Sequence, residues 1–231
     1  MDTTAQHTVP LTRIQKLIGR LMLHSKQTKA AAYLSVRADL TELTAVRRNY
    51  FRKTGVRVTT NDFFCYAMAR SILRYPLMAA AIDTKGRSLT IASQIGVGFA
   101  VAAPQGLVVP VIQNIGAKSL PQITAESELL LEKARANKLM PDDFDGANIV
   151  LTGLGMYGIH SFYAIAPPSA TSILSIGIIE DTPAPVAGKP AVRKIMEVCL
   201  AFDQCVADEF CAAAFLRSVI DQIEQPRLLT D

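Results

Sequence analysis

Cys199-Leu-Ala-Phe-Asp-Gln-Cys-Val-Ala-Asp-Glu-Phe-Cys-Ala-Ala-Ala-Phe-Leu216 joins an apolar run to a helical pattern through a short polar turn. The run extends back to Ala191 and reads as a long strand ending at Phe202. From Asp208 to Glu224, Phe215, Leu216, Val219, Ile220 and Ile223 recur at helical spacing and predict one buried helix face. Asp203 and Asp208 bracket Gln204 and Cys205 in the turn. Glu209 falls in the helix's first turn, where an acid suits the helix dipole.

The same patterns continue upstream. Leu11, Ile14, Leu17, Ile18, Leu21 and Met22 form a stripe that predicts a helix over Leu11 to Ser25. Tyr33 to Val36 alternates as a strand. Asp39 with Glu42 suggests an N-cap and capping box for a helix that ends near Gly55. Thr60-Asn-Asp62 opens a mostly apolar, buried helix that stops before Pro76. Strands are expected at Ser88–Ala92, Gly96–Ala102 and Leu107–Ile112, the last two joined by a Pro104-Gln-Gly106 turn. Ser119 caps a helix to about Asn137, with Leu120, Ile123, Leu130 and Leu131 inward. Asn148–Thr152 and Thr171–Ile178 read as strands, and Gly153–Ser169 as a Gly- and Pro-rich loop. Thr182–Pro190, with three prolines, reads as a hairpin loop. Several strands pair most simply as hairpins, so the sequence predicts a mixed sheet with helices packed on it.

The 231 residues are half apolar, enough to bury a sizeable core. The net charge is +4, and no basic run interleaves with aromatics, so nucleic acid is not a predicted partner. Cys65, Cys199, Cys205 and Cys211 form no Cys-x-x-Cys pair, which argues against a zinc site. Reduced thiols and the absence of an apolar signal-like stretch at Met1-Asp2-Thr3-Thr4 fit a cytoplasmic or mitochondrial-matrix compartment. The longest apolar stretch, Ile95 to Ile112, is broken by Pro104, Gly106 and Pro110, so no membrane span is predicted.

Thr152-Gly-Leu-Gly-Met-Tyr-Gly158 contains a Gly-x-Gly-x-x-Gly after a strand, with Glu180 where a ribose-binding acid would stand. A dinucleotide site needs a helix at the third glycine. Ile159-His-Ser-Phe-Tyr-Ala-Ile-Ala-Pro-Pro168 follows instead, and its prolines argue against that helix.

Taken together, the segments resemble the dihydrolipoyl acyltransferases, the core components of 2-oxoacid dehydrogenase complexes. The resemblance runs from Val9 to Leu229. It is carried by Val9-Pro-Leu-Thr12, Ser25-Lys-Gln-Thr28, Tyr33-Leu-Ser35, Gly96-Val-Gly-Phe-Ala-Val101, Gly106-Leu-Val-Val-Pro-Val111, Lys118-Ser-Leu120, the Thr152–Gly158 segment and Pro226-Arg-Leu-Leu229. It implies a single-domain, chloramphenicol acetyltransferase-like α/β fold over residues 9–231, preceded by a flexible tail at 1–8. It also implies homotrimers or larger homo-oligomers with active sites in channels between subunits, 2-oxoacid dehydrogenase components as partners, and CoA as a substrate with no covalently bound cofactor. Full-length members carry lipoyl and subunit-binding domains that have no counterpart in these residues. The resemblance therefore leaves two expectations: those domains lie outside this sequence, or the chain has no swinging arm of its own.

In the family, Asp-His-Arg-x-x-Asp-Gly supplies a histidine that deprotonates the thiol of dihydrolipoamide or CoA. A hydroxyl at the position of Thr152 donates to the oxyanion. Here Gln204 stands at the histidine and cannot act as a base. Cys205 replaces the arginine and Glu209 the glycine. Gln15 stands where the opening helix carries an arginine that pairs with the second aspartate, here Asp208. Lys29-Ala-Ala-Ala32 replaces an Ile-Pro-His-Phe-like stretch beside the channel.

The resemblance then implies a catalytically impaired core domain retained for assembly. Its competitors are an active transferase that uses Thr152 and Asp208 for polarisation with His160 or water as base, and a module that binds CoA or a lipoyl arm without reacting. His7 falls in the tail and His24 ends the first helix, where a histidine complements the dipole.

Overall fold

A computed structural model describes residues 8–83, 87–104 and 106–229. The expected tail and the centre of the 104–106 turn fall wholly or partly outside them. The first helix, α1 (Arg13–Thr28), begins two residues later than its apolar stripe, with Thr12 and Gln15 in a capping box. β1 (Ala31–Asp39) leads into α2 (Thr41–Thr54), which closes on Gly55 at φ 74°. The capping box expected of Asp39 is not formed. The Asp39 carboxylate accepts from Thr41 N at 2.9 Å and pairs with Arg193 at 2.6 Å, so it ties the strand end to the sheet. In α3 (Thr60–Ile72), Thr59 and Asp62 form the capping box instead, and Asp62 also accepts from Ser127 at 2.7 Å.

Short strands follow: β2 (Ala81–Ile82), β3 (Leu89–Thr90), β4 (Gly96–Phe99), β5 (Val101–Ala103), β6 (Gly106–Val108) and β7 (Val111–Ile112). Then come α4 (Leu120–Arg135), β8 (Ala147–Gly153), β9 (Ser172–Val186), β10 (Lys189–Asp203) and α5 (Glu209–Glu224). The main sheet runs β1-β10-β9-β8-β4-β7, with β4, β8 and β9 parallel and the other pairs antiparallel. This is the mixed α/β architecture expected.

Thr182–Pro190 is not a loop. β9 and β10 continue as a two-stranded ribbon to Val186 and Lys189, joined through Ala187 (φ 49°) and Gly188 (φ 78°). Both positive φ values match the hairpin turn whose twist suits paired strands. Among the described residues no third strand pairs with Pro183, Pro185 or Pro190, so these prolines can turn their nitrogens outward.

Alternate residues divide between two faces. Ile149, Leu151, Leu174, Leu200 and Phe202 join Phe63, Phe64, Met68, Phe215 and Ile220 in the core beneath α3 and α5. Val150, Ile173 and Ala201 face the other way, under Ala164, Ala166 and Ala170. There, residues 154–170 form an irregular strap across the sheet. A side chain at Gly177 would meet the strap carbonyl of His160 at 1.8 Å. Gly177→Ala is expected to lower stability by roughly 1–3 kcal/mol, read as a fall in thermal midpoint without loss of helix signal; an unchanged midpoint would contradict the close packing of the strap.

Candidate functional site

The apolar end of β10 carries Asp203 on the strap face, and its carboxylate is 3% exposed. Asp203 Oδ1 accepts from Ala30 N at 3.2 Å and Cys205 N at 3.0 Å, while Gln204 N donates to Ala30 O at 3.0 Å. These bonds bind the turn to the entry of β1. Asp208 is the N-cap of α5 and accepts from Cys211 N at 2.7 Å. The exposed Gln204 side chain turns onto Glu209, with its amide nitrogen hydrogen-bonded to Oε1. Gln15 spends its amide oxygen on Thr12 N at 2.9 Å, within α1's own cap.

Thr152 lies elsewhere. It pairs with Ser175 on β9, which pairs with Cys199 on β10, four residues before Asp203. All four share the strap face. Two strand spacings across and four residues along put Thr152 about 16 Å from Asp203 within one chain. Ser175 is buried and its hydroxyl has no partner. The Cys199 thiol is pushed up by burial, which its contacts with Phe162 and Tyr163 partly offset.

The His160 ring is turned to Glu180. Its Nδ1 lies 2.9 Å from Glu180 Oε2, on the part of β9 that runs into the ribbon, and both side chains are largely open to solvent. Glu180 is thus this histidine's partner. The glycine motif leads into a single 3-10 turn, Gly155–Tyr157, and then extended chain, so no helix N-terminus faces a phosphate there.

Lys29, assigned no role from the sequence, lies against the Asp203 turn. It enters β1 beside Ala30, and its Nζ donates to Pro167 O at 2.6 Å and Ala170 O at 2.5 Å. Burial lowers its pKa to about 8, against the opposing pull of Asp203. The one available signal was a long cation in an otherwise small stretch, Lys29-Ala-Ala-Ala32. Among the described residues, no cluster of His, Cys, Asp and Glu is placed to hold a metal ion, and no helix is long and apolar enough to cross a membrane.

The profile of the 2-oxoacid dehydrogenases acyltransferase (catalytic domain) family matches residues 3–230. The chain belongs to this family. The acetyltransferase component of the pyruvate dehydrogenase complex of Rickettsia bellii is 31% identical over 224 residues, covering 95% of this chain and 53% of that protein. The chain thus spans about half the length of the curated relatives it matches. The cubic core of a pyruvate dehydrogenase multienzyme complex superposes with a TM-score of 0.91 at 29% identity, over 98% of this chain and 94% of that one. Chloramphenicol acetyltransferase gives a TM-score of 0.53 at 14% identity, over 88% and 94% of the two chains, a likeness of fold alone.

Lys29 carries a pH signature. Between its folded value near 8 and the ordinary 10.5, the unfolded chain holds more protons. Stability therefore rises with pH across that window, as the cost of burying the ammonium disappears. Denaturant titrations of wild type and Lys29→Met should show their difference moving in favour of wild type as pH rises from 8 to 10.5; a flat difference would mean an ordinary lysine.

Proposed function

We propose that the chain is a core-forming acyltransferase domain whose site is completed between copies and whose histidine-driven transfer is lost at Gln204. The observation that carries this reading is the state of the turn. Asp203 still ties β1 to β10, so the wall of the site is kept, while a carboxamide engaged with Glu209 occupies the position of the base.

Two features favour completion between copies. Thr152 and Gln204 lie too far apart in one chain to act on one acyl group, so Thr152 of one copy would face Gln204 of the next. α1 leaves Leu17 58% and Leu21 42% exposed, and Leu11 just before it is 61% exposed, an apolar stripe that assembly would cover. The cubic core it superposes on gives that assembly a precedent. Its substrates would be the thiols CoA and dihydrolipoamide, exchanging an acyl group, with other 2-oxoacid dehydrogenase components as partners. Thr152 would polarise the thioester carbonyl.

With acetyl-CoA and dihydrolipoamide near pH 7, turnover should fall about 100- to 10,000-fold below that of a histidine-bearing member. Gln204→His should recover part of that loss. Wild-type turnover at the ordinary level would reject the impairment. Light scattering on a gel-filtration column should give a trimer or a multiple of it, and Leu17→Glu with Leu21→Glu should break it down; a wild-type monomer would reject the intersubunit site.

A further inference from the structure

Next to Ala30, whose backbone pairs with Asp203 and Gln204, Lys29 carries an amine held in an unusual way. Lys29 lines a cavity of about 30 Å³ on the strap face, with Tyr33, Ala164, Ile165 and Ala201 among its walls. That is room for a group the size of one water. Its Nζ is fixed from one side by the carbonyls of Pro167 and Ala170. A neutral amine has two N–H donors and one lone pair. Two carbonyls use both donors and leave the lone pair free. An ammonium in the same place has a third N–H, and buried Asp203 supplies the charge that steadies it. Both protonation states are therefore accommodated without moving the side chain, and burial brings them close in free energy near pH 8. The other titratable groups facing the cavity are Lys26 of α1 and Tyr33 of β1, the latter in edge contact with Tyr163 of the strap at 5.1 Å between centroids.

We propose that the Lys29 amine takes the proton of the attacking thiol in place of the family's histidine, and so supports a slow residual acyl transfer. The proposal rests on the reading of the site as one for thiol substrates. In the forward step, the thiol S–H bond breaks and its proton joins the Nζ lone pair. The thiolate attacks the thioester carbonyl carbon and forms a tetrahedral oxyanion. That intermediate collapses, the C–S bond to the departing sulfur breaks, and the leaving thiolate takes the proton back from the Lys29 ammonium. The acyl group changes sulfur, the lysine ends as it began, and no oxidant or reductant is needed.

The test follows acetyl transfer from acetyl-CoA to dihydrolipoamide from about pH 6 to about pH 10 with the assembled protein, as wild type, Lys29→Arg and Lys29→Met. Competitive acetic anhydride labelling read by mass spectrometry titrates the Lys29 amine in parallel. The expected wild-type rate climbs with pH and levels off near pH 8, where the labelled amine also titrates. Both variants should lose about tenfold or more of the plateau rate and the inflection with it. Arginine keeps the charge beside Asp203, so its loss of rate cannot be put down to an unpaired buried carboxylate. Arginine retaining the wild-type curve, or an amine titrating as an ordinary lysine, overturns the proposal. A trimeric wild type with no transfer at any pH overturns Lys29 and leaves the core-forming reading standing; a monomeric wild type overturns both.

Discussion

The buried carboxylate of Asp203 is the interaction on which the site depends. It closes the sheet between β1 and β10 by accepting from Ala30 N, and it shapes the turn by accepting from Cys205 N. The backbone of the same residue continues the work: its N–H reaches Thr171 O, and its carbonyl receives the N–H groups of Val206 and Ala207. Strand entry, strap and helix entry are thereby fixed to one residue. A charge so deeply buried is costly unless it is hydrogen-bonded and has a counter-charge nearby. The backbone donors supply the first and Lys29 the second. Lys29 thus ties the buried carboxylate to the strap carbonyls of Pro167 and Ala170.

On the proposed reading, that arrangement explains how the turn keeps its fold with Gln204 where the resemblance sets a histidine. The histidine position is exposed and contributes to the turn chiefly through its backbone N–H, which any residue but proline offers. Gln204 satisfies the same bond to Ala30, and its side chain finds Glu209. The helix that follows begins properly because Asp208 caps it and Glu209 lies in its first turn. Within the turn, the residues that depart from the family pattern, Gln204, Cys205 and Glu209, are exposed, while the carboxylate that holds the turn is buried.

Most of the fold was legible because it is written in periods. The helical stripe of α5 names Phe215, Leu216, Val219, Ile220 and Ile223, all of which lie in the core, and the apolar runs locate β8 and β10 without saying which of their residues face the helices. The ribbon was misread because prolines normally end strands, and only pairing shows that Pro183 and Pro185 lie where no third strand needs their nitrogens. Asp39 was misread because a carboxylate near a helix start can equally serve an ion pair across the sheet. The site was half legible. The run from Asp203 to Asp208 located it, but neither the 16 Å stagger of Thr152 implied by strand geometry nor the reach of Lys29 across to Pro167 and Ala170 leaves a local pattern, because both arise from contacts more than twenty residues apart.

The most direct trial of the account is a structure of the assembled protein with CoA bound. The account predicts that the Thr152 hydroxyl of one copy and the Gln204 turn of its neighbour face the same CoA sulfur, each within hydrogen-bonding reach of the reacting groups or one water away. Thr152 and Gln204 remaining on separate surfaces of the assembly, with the sulfur bound at neither, would contradict it.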